Sequence, residues 1–277
     1  MTISINTNSS AMLALEYLNK TNSQIHKTET AVSTGLKVAT ARDNGATYAI
    51  AQNMRGDIAG CSSIEDSLNR GLSAIDVATS AGESISDLLI EMKQKALAAA
   101  DTSLDTASRD AYNEDFKALR DQIATVVSNA SFNGLNLLNN TATQVTALAS
   151  SDGTRRITVS AQNFLLGGSV LGSSLTATSS IGGVTTAQKM VSVLKKALVS
   201  VDSALSKLSA GAKKYSIQLS FTQKLSDSLS TGVGNLVDAD MATESASLTA
   251  LQTKQQLGVQ ALSIANATPQ IILSLFQ

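Results

Sequence analysis

Few side chains in this chain are arranged so that they could do chemistry. His26 is the only histidine, which removes any zinc or acid–base site that needs two. It follows Ile25 on a helical tract, where a surface or interface role is the simplest reading. Ser192-Val193-Leu194-Lys195 has the S-x-x-K spacing of a serine–lysine nucleophile but lacks the companion S-D-N and K-T-G elements. On an amphipathic helix that spacing arises by chance. Gly232-Val233-Gly234 has no third glycine at dinucleotide spacing and no strand before it, so it reads as a helix break. Glu114, Asp115 and Asp121 are spread along one exposed helix face without metal-binding spacing. Asp238 and Asp240 precede the last helix, where they can cap it and suit its positive end. Cys61 is the only cysteine, which excludes an intramolecular disulfide and a cysteine zinc cluster. It shares a helical stripe with Met54, Ile58, Leu68, Leu72 and Ile75 and reads as a small core residue. No catalytic residue, metal site or cofactor is expected, and the chain does not read as an enzyme.

The elements that carry these residues say more. From Ala11 a heptad runs through Leu15, Leu18, Asn22, Ile25, Glu29, Val32 and Leu36. At the other end Leu248, Leu251, Gln255, Gly258, Leu262 and Ala265 keep the same rhythm. A repeat of about 3.5 residues places one stripe of each helix on a coiled-coil seam. After Glu244 the only charged side chain is Lys254, and the chain closes on Ile271, Ile272, Leu273, Leu275 and Phe276. Apolar surface of that kind marks an interaction site. The expected assembly residues are therefore Leu15, Leu18, Ile25, Val32, Leu36, Leu248, Leu251, Leu262, Ile271, Leu273 and Leu275.

Composition narrows the class. Hydrophobic residues make up 43% but aromatics only 3%, so the core must be built from aliphatic side chains, which favours interdigitated helices. Net charge is -1, which supplies no broad field for nucleic acid or an anionic membrane. No stretch approaches the roughly 20 apolar residues that span a bilayer, and residues 1–10 lack the pattern of a cleavable secretory leader. Neither nucleic acid nor membrane is an expected partner.

The tracts order themselves as helix, helix, helix, small β island, helix, helix. The second helix runs from about Thr47 to Ala100, and the third starts near Asp105 as N-cap and stops at Asn133-Gly134. Between Thr141 and Thr186 the composition turns to Ser, Thr, Gly and Ala. Gln144–Leu148 and Arg156–Val159 alternate like the strands of a hairpin around Asp152-Gly153, and the remainder, with Gly167-Gly168 and Gly182-Gly183, reads as irregular surface. The fourth helix begins near Thr186. The expected fold is mainly α: a terminal coiled-coil domain plus an antiparallel helical bundle with a small β-hairpin region. Residues 1–44 and 235–277 are the halves of the inner domain. Residues 45–140 and 187–234 are the halves of the outer one, and 141–186 form the Ser/Thr/Gly-rich island.

Several motifs, in order, carry a family resemblance. Ile3-Ser4-Ile5-Asn6-Thr7-Asn8, Ser33-Thr34-Gly35-Leu36-Lys37-Val38 and Ala41-Arg42-Asp43-Asn44-Gly45-Ala46-Thr47-Tyr48-Ala49-Ile50-Ala51 resemble the N-terminal region of bacterial flagellins. Asn44 and Gly45 replace two of the usual residues. Phe132-Asn133-Gly134 with Leu137-Leu138 is similar to F-N-G-x-x-L-L, and Asp238–Glu244 and Pro269–Leu275 are similar to D-x-D-x-A-x-E and P-Q-x-V-L-S-L-L. The recognisable parts span roughly residues 1–138 and 186–277, and the short island at 141–186 marks a minimal form without large outer domains.

The resemblance implies a structural subunit that self-polymerises into the extracellular flagellar filament, the propeller for swimming. It implies contacts with itself, the flagellar cap and the hook-junction proteins, and passage through the type III export apparatus with an export chaperone. The alternative within the same apparatus is a hook–filament junction protein. Flagellins of this kind are often O-glycosylated, which makes Ser173, Ser174, Thr176, Thr178, Ser179 and Ser180 candidate acceptors. Many are also recognised by an animal Toll-like receptor through a helix resembling L-Q-R-x-R-E-L-A. Here the corresponding residues are Leu89-Ile90-Glu91-Met92-Lys93-Gln94-Lys95-Ala96, which implies weak or absent recognition.

Overall fold

Helix boundaries follow local chemistry throughout. The computed structural model describes residues 7–273, with side chains described to residue 267. The first helix, α1 (Ser9–Thr34), begins where the Asn8 side chain accepts from the Ala11 N–H, and ends at Gly35, whose φ of 71° gives a left-handed cap. Next, α2 (Gly45–Ala99) is 55 residues, about 80 Å of continuous helix. Asp105 caps α3 (Thr106–Asn129) as its position predicts, accepting from the Ser108 N–H. The last two helices are α4 (Val184–Val237) and α5 (Met241–Leu273). Asp240 opens α5 by accepting from the Ala242 and Thr243 N–H groups and the Thr243 hydroxyl. Those bonds, the Thr243 hydroxyl first, hold its carboxyl below the usual range.

The chain folds as two units, residues 1–56 with 228–277 and residues 57–227, so the division falls within α2 and within α4. In the second unit α2 and α4 run antiparallel. A side chain on Gly71 would meet the Tyr215 ring, and one on Gly82 would meet Leu205. The α2–α3 connection is short, and the Arg109 guanidinium closes it by donating to the carbonyls of Ala99, Asp101 and Leu104. Ile75, Ile85, Leu89, Met92, Phe116, Ile123, Leu194, Val201 and Leu208 fill the core between the helices. Cys61 is also buried, and burial pushes its thiol up in pKa.

Two small hairpins lie on this bundle. The first, β1 (Ser131–Phe132) with β2 (Leu135–Asn136), is made by Asn133-Gly134. That pair is therefore not a helix stop: α3 has already ended at Asn129, and positive φ values of 50° and 78° at the two residues are those a tight two-residue hairpin turn demands. The second, β3 (Gln144–Leu148) with β4 (Arg156–Ser160), pairs Val145 with Val159, and both are buried with Ala147. The Tyr215 hydroxyl lies 3.1 Å from the carbonyls of both Val145 and Ile157. Ser67 Oγ accepts from the Leu148 N–H, and Gln218 donates to Ala149 O. The hairpin is thus bonded to α2 and α4 at once.

Two further expectations fail. Residues 161–183 are irregular but not surface alone, since Phe164, Val170, Leu171, Leu175 and Ile181 are buried. Buried polar side chains hold the segment down: Asn113 Oδ1 accepts from the Ile181 N–H at 2.7 Å, and Arg120 Nη1 donates to Ser179 O at 2.9 Å. Gly232-Val233-Gly234 does not break α4, which continues to Val237. A side chain at Gly232 would come within 2.7 Å of Met54 Cε, so the glycine there serves close packing.

Candidate assembly site

In the first unit α1 and α5 pair antiparallel. Asn8 Nδ2 donates to Ala265 O and Gln255 Nε2 to Asn22 Oδ1, each at 2.7 Å, and a side chain on Gly258 would meet Leu18 Cδ1 at 3.4 Å. At the other end Leu36 and Asp238 form an antiparallel bridge, and the Ala239 N–H donates to Gly35 O. Helices α1 and α5 thus cover each other.

The α5 seam is the one its spacing predicts: Leu248, Leu251, Gln255, Gly258, Leu262 and Ala265 are all half-buried. The α1 seam differs at every second position. Ala11, Leu18, Ile25 and Val32 take their expected places, but Ala14, Thr21 and Thr28 stand where Leu15, Asn22 and Glu29 were expected. Both readings are heptads sharing four positions, and hydrophobicity favoured Leu15. The fold instead turns small side chains toward α5. Thr21 satisfies its hydroxyl by donating to Tyr17 O. Asn22 borders the seam and supplies the polar pair with Gln255, an arrangement that fixes register at some cost in stability. Glu29 is exposed beside His26, with Oε2 3.3 Å from Nδ1.

Of the expected assembly residues, Ile25 is buried, Leu18, Val32, Leu36, Leu248, Leu251 and Leu262 are half-buried, and Leu15 is 47% exposed. Ile271 and Leu273 belong to α5, but their side chains lie outside the described residues, as does Leu275. What stays bare is the outer surface of the pair. Met12 is 68% exposed and Tyr17 61% on α1, with Leu13 beside them, and Leu257 is 59% exposed on α5 near Val259. Met12, Leu13 and Leu15 line a shallow recess with Ser9, Glu16 and Asn19. In the sequence these exposed side chains show as the run of large apolar residues from Met12 to Tyr17, of which only Leu15 fits the expected heptad.

The chemistry candidates disperse. Ser192 donates to Lys189 O, within its own turn. Glu114 pairs with Lys117, Asp115 with Lys95 and Asp121 with Arg120, so that acidic face is ion-paired rather than merely solvated. Among the glycosylation candidates Ser173, Ser174, Thr178 and Ser180 are exposed and Thr176 is half-buried. Ser179 is buried, its Oγ accepting from the Thr176 N–H, and is no outward-facing hydroxyl.

A helical chain whose terminal helices α1 and α5 pair antiparallel and leave large apolar side chains exposed belongs to the class of self-associating structural proteins. Comparison with known proteins gives the family. The models for the bacterial flagellin N-terminal and C-terminal helical regions match residues 5–143 and 191–276. Flagellin FljM of Caulobacter vibrioides is 50% identical over 99% of this chain and 98% of its own, and the flagellin of Brucella melitensis is 37% identical over 99% of each. The crystal structure of Bacillus cereus flagellin shares the fold, with a TM-score of 0.50 and 20% identity over 56% of this chain and 88% of that one. The chain belongs to the bacterial flagellin family. It is a structural subunit of the flagellar filament, a polymer of such subunits. The junction-protein alternative finds no support among these relatives.

Proposed function

We propose that polymerisation runs through the terminal helix pair. The α1–α5 seam, with Leu18, Ile25, Val32, Leu36, Leu248, Leu251 and Leu262, holds each subunit's ends together. The outer face, with Met12, Leu13, Leu15, Tyr17, Leu257 and Val259, meets the next copy, and Ile271, Leu273 and Leu275 extend that contact. The observation that carries this reading is the exposure of these large apolar side chains beside a seam already filled within the chain. Covering them with a second copy removes the apolar surface from water, at about 25 cal/mol per Å2. A heterologous contact of this kind adds subunits without closing.

The subunit leaves the cell through the flagellar type III export apparatus with an export chaperone, and adds to the filament beyond the hook-junction proteins under the cap. The filament is extracellular, and the exposed hydroxyls of Ser173, Ser174, Thr178 and Ser180 are its candidate O-glycosylation sites. Intact mass of protein from native filaments tests the last point; a mass equal to the bare chain removes it. The main reading is tested by seeding purified chain with filament fragments. Long filaments seen by electron microscopy support it, and short caps that stop growing would favour a junction role.

A further inference from the structure

The second unit sorts its charge by helix. Between Asp57 and Ala99, α2 carries seven acidic and three basic residues, whereas from Val184 to Asp227 α4 carries seven lysines and two aspartates. On α2, Glu65, Asp76 and Glu83 follow one another at 11 and 7 residues. On α4, read backwards, Lys207, Lys196 and Lys189 follow at the same 11 and 7. These intervals are about three and two helical turns, so each trio stands in one line along its helix. All six side chains are exposed except Glu65, which is half-buried, and none enters any ion pair found among the described residues.

We propose that these lines are the two halves of one subunit–subunit contact, the acidic line of one copy docking on the lysine line of the next. This rests on the reading of the chain as a self-polymerising subunit and adds a second contact, on the outer helices rather than on the terminal pair. Copies related by a screw along the helix direction keep α2 and α4 antiparallel. In that sense a single register brings Glu65 to Lys207, Asp76 to Lys196 and Glu83 to Lys189. The chain does not make these pairs with itself. Its own register sets residue 82 against 205 and 71 against 215, about 14 residues or roughly 21 Å out of step. The contact is heterologous, so the copy at each end of the array keeps one line free and the array stays open. Opposite charge selects the register and rejects like-charged alignments.

The test is a full-length Asp76→Cys, Lys196→Cys chain, assembled into filaments and mildly oxidised. A ladder of disulfide-linked multimers is expected from filaments and none from dispersed monomer, since in-chain bridging exceeds the Cα separation of about 7 Å that a disulfide tolerates. Buried Cys61 does not compete. Filaments without a ladder overturn the contact while leaving polymerisation standing, and no polymer even from the unaltered chain overturns both. As a check independent of cysteine, Lys196→Asp should raise the critical concentration about tenfold, and Asp76→Lys in the same chain should restore it. A Lys196→Asp chain that assembles normally, or one not rescued by Asp76→Lys, overturns the contact.

Discussion

The seat of the β3–β4 hairpin on α4 depends on a missing side chain at Gly211, and that dependence can be measured. A methyl added there would lie 2.5 Å and 2.7 Å from the two Cγ atoms of Val159 and 3.2 Å from its Cβ. Comfortable carbon contacts are about 3.5–4.0 Å, so both methyls overlap the new atom. Rotating χ1 swings one methyl away but leaves the other overlapping, and a β-branched χ1 resists leaving its preferred rotamer. Val159 is 6% exposed and pairs with Val145, so relief requires the strand to lift from the helix. Overpacking of this kind costs about 1–3 kcal/mol, against about 1 kcal/mol gained by replacing glycine inside a helix. Gly211→Ala should therefore be neutral to destabilising by about 2 kcal/mol. In a Val159→Ala background both methyl overlaps are gone and only the 3.2 Å contact to Cβ remains, so the same substitution should stabilise by up to about 1 kcal/mol. Urea unfolding of the four chains, followed by circular dichroism and by hydrogen exchange at the β4 amides, closes the cycle. Additivity within about 0.5 kcal/mol would refute the reasoning.

Three other outcomes follow from named contacts. Replacing Asn22 and Gln255 together by leucine should stabilise the α1–α5 pair while loosening its register; spin labels at its far ends should then report more than one separation. Asp240 and Asp105 are held below the ordinary aspartate value of about 3.9 by their capping bonds, and Asp152 is lowered to about 2 by the Ser150 hydroxyl and by Thr154. Depressed values contribute stability that is present above the unfolded-state pKa and lost as pH falls through the folded one. Protection of the first-turn amides of α3 and α5, taken relative to the intrinsic exchange rate at each pH, should fall below about pH 4, whereas the 150–154 turn persists nearer pH 2. In a receptor reporter assay pure monomer should activate weakly, since Glu91 is exposed and Lys95 is held 2.6 Å from Asp115 on α3 rather than offered outward. Potent activation by monomer contradicts this.

Much of the architecture was legible because it rests on periodicity and caps. Heptads located α1 and α5, Asp105 marked the start of α3, and alternation around Asp152-Gly153 marked the main hairpin. What escaped depends on partners distant in the chain. Asn-Gly serves equally as helix stop or hairpin turn until the strands either side are seen to pair. Nothing local shows that Gly232 lies under Met54, or that Arg120 and Asn113 hold down residues 179 and 181. The choice between Leu15 and Ala14 on the α1 seam was undecidable from α1 alone, because the side chains of α5 make it.

In the proposed polymer the outer apolar face of the terminal pair joins subunits while the seam only holds each one together. Leu257→Asp, at a position 59% exposed on α5, tests it directly. Measured as pelletable polymer after seeding, this chain should stay monomeric with unchanged helicity and an intact α1–α5 pair. Long filaments from Leu257→Asp at the concentration that suffices for the unaltered chain would contradict it.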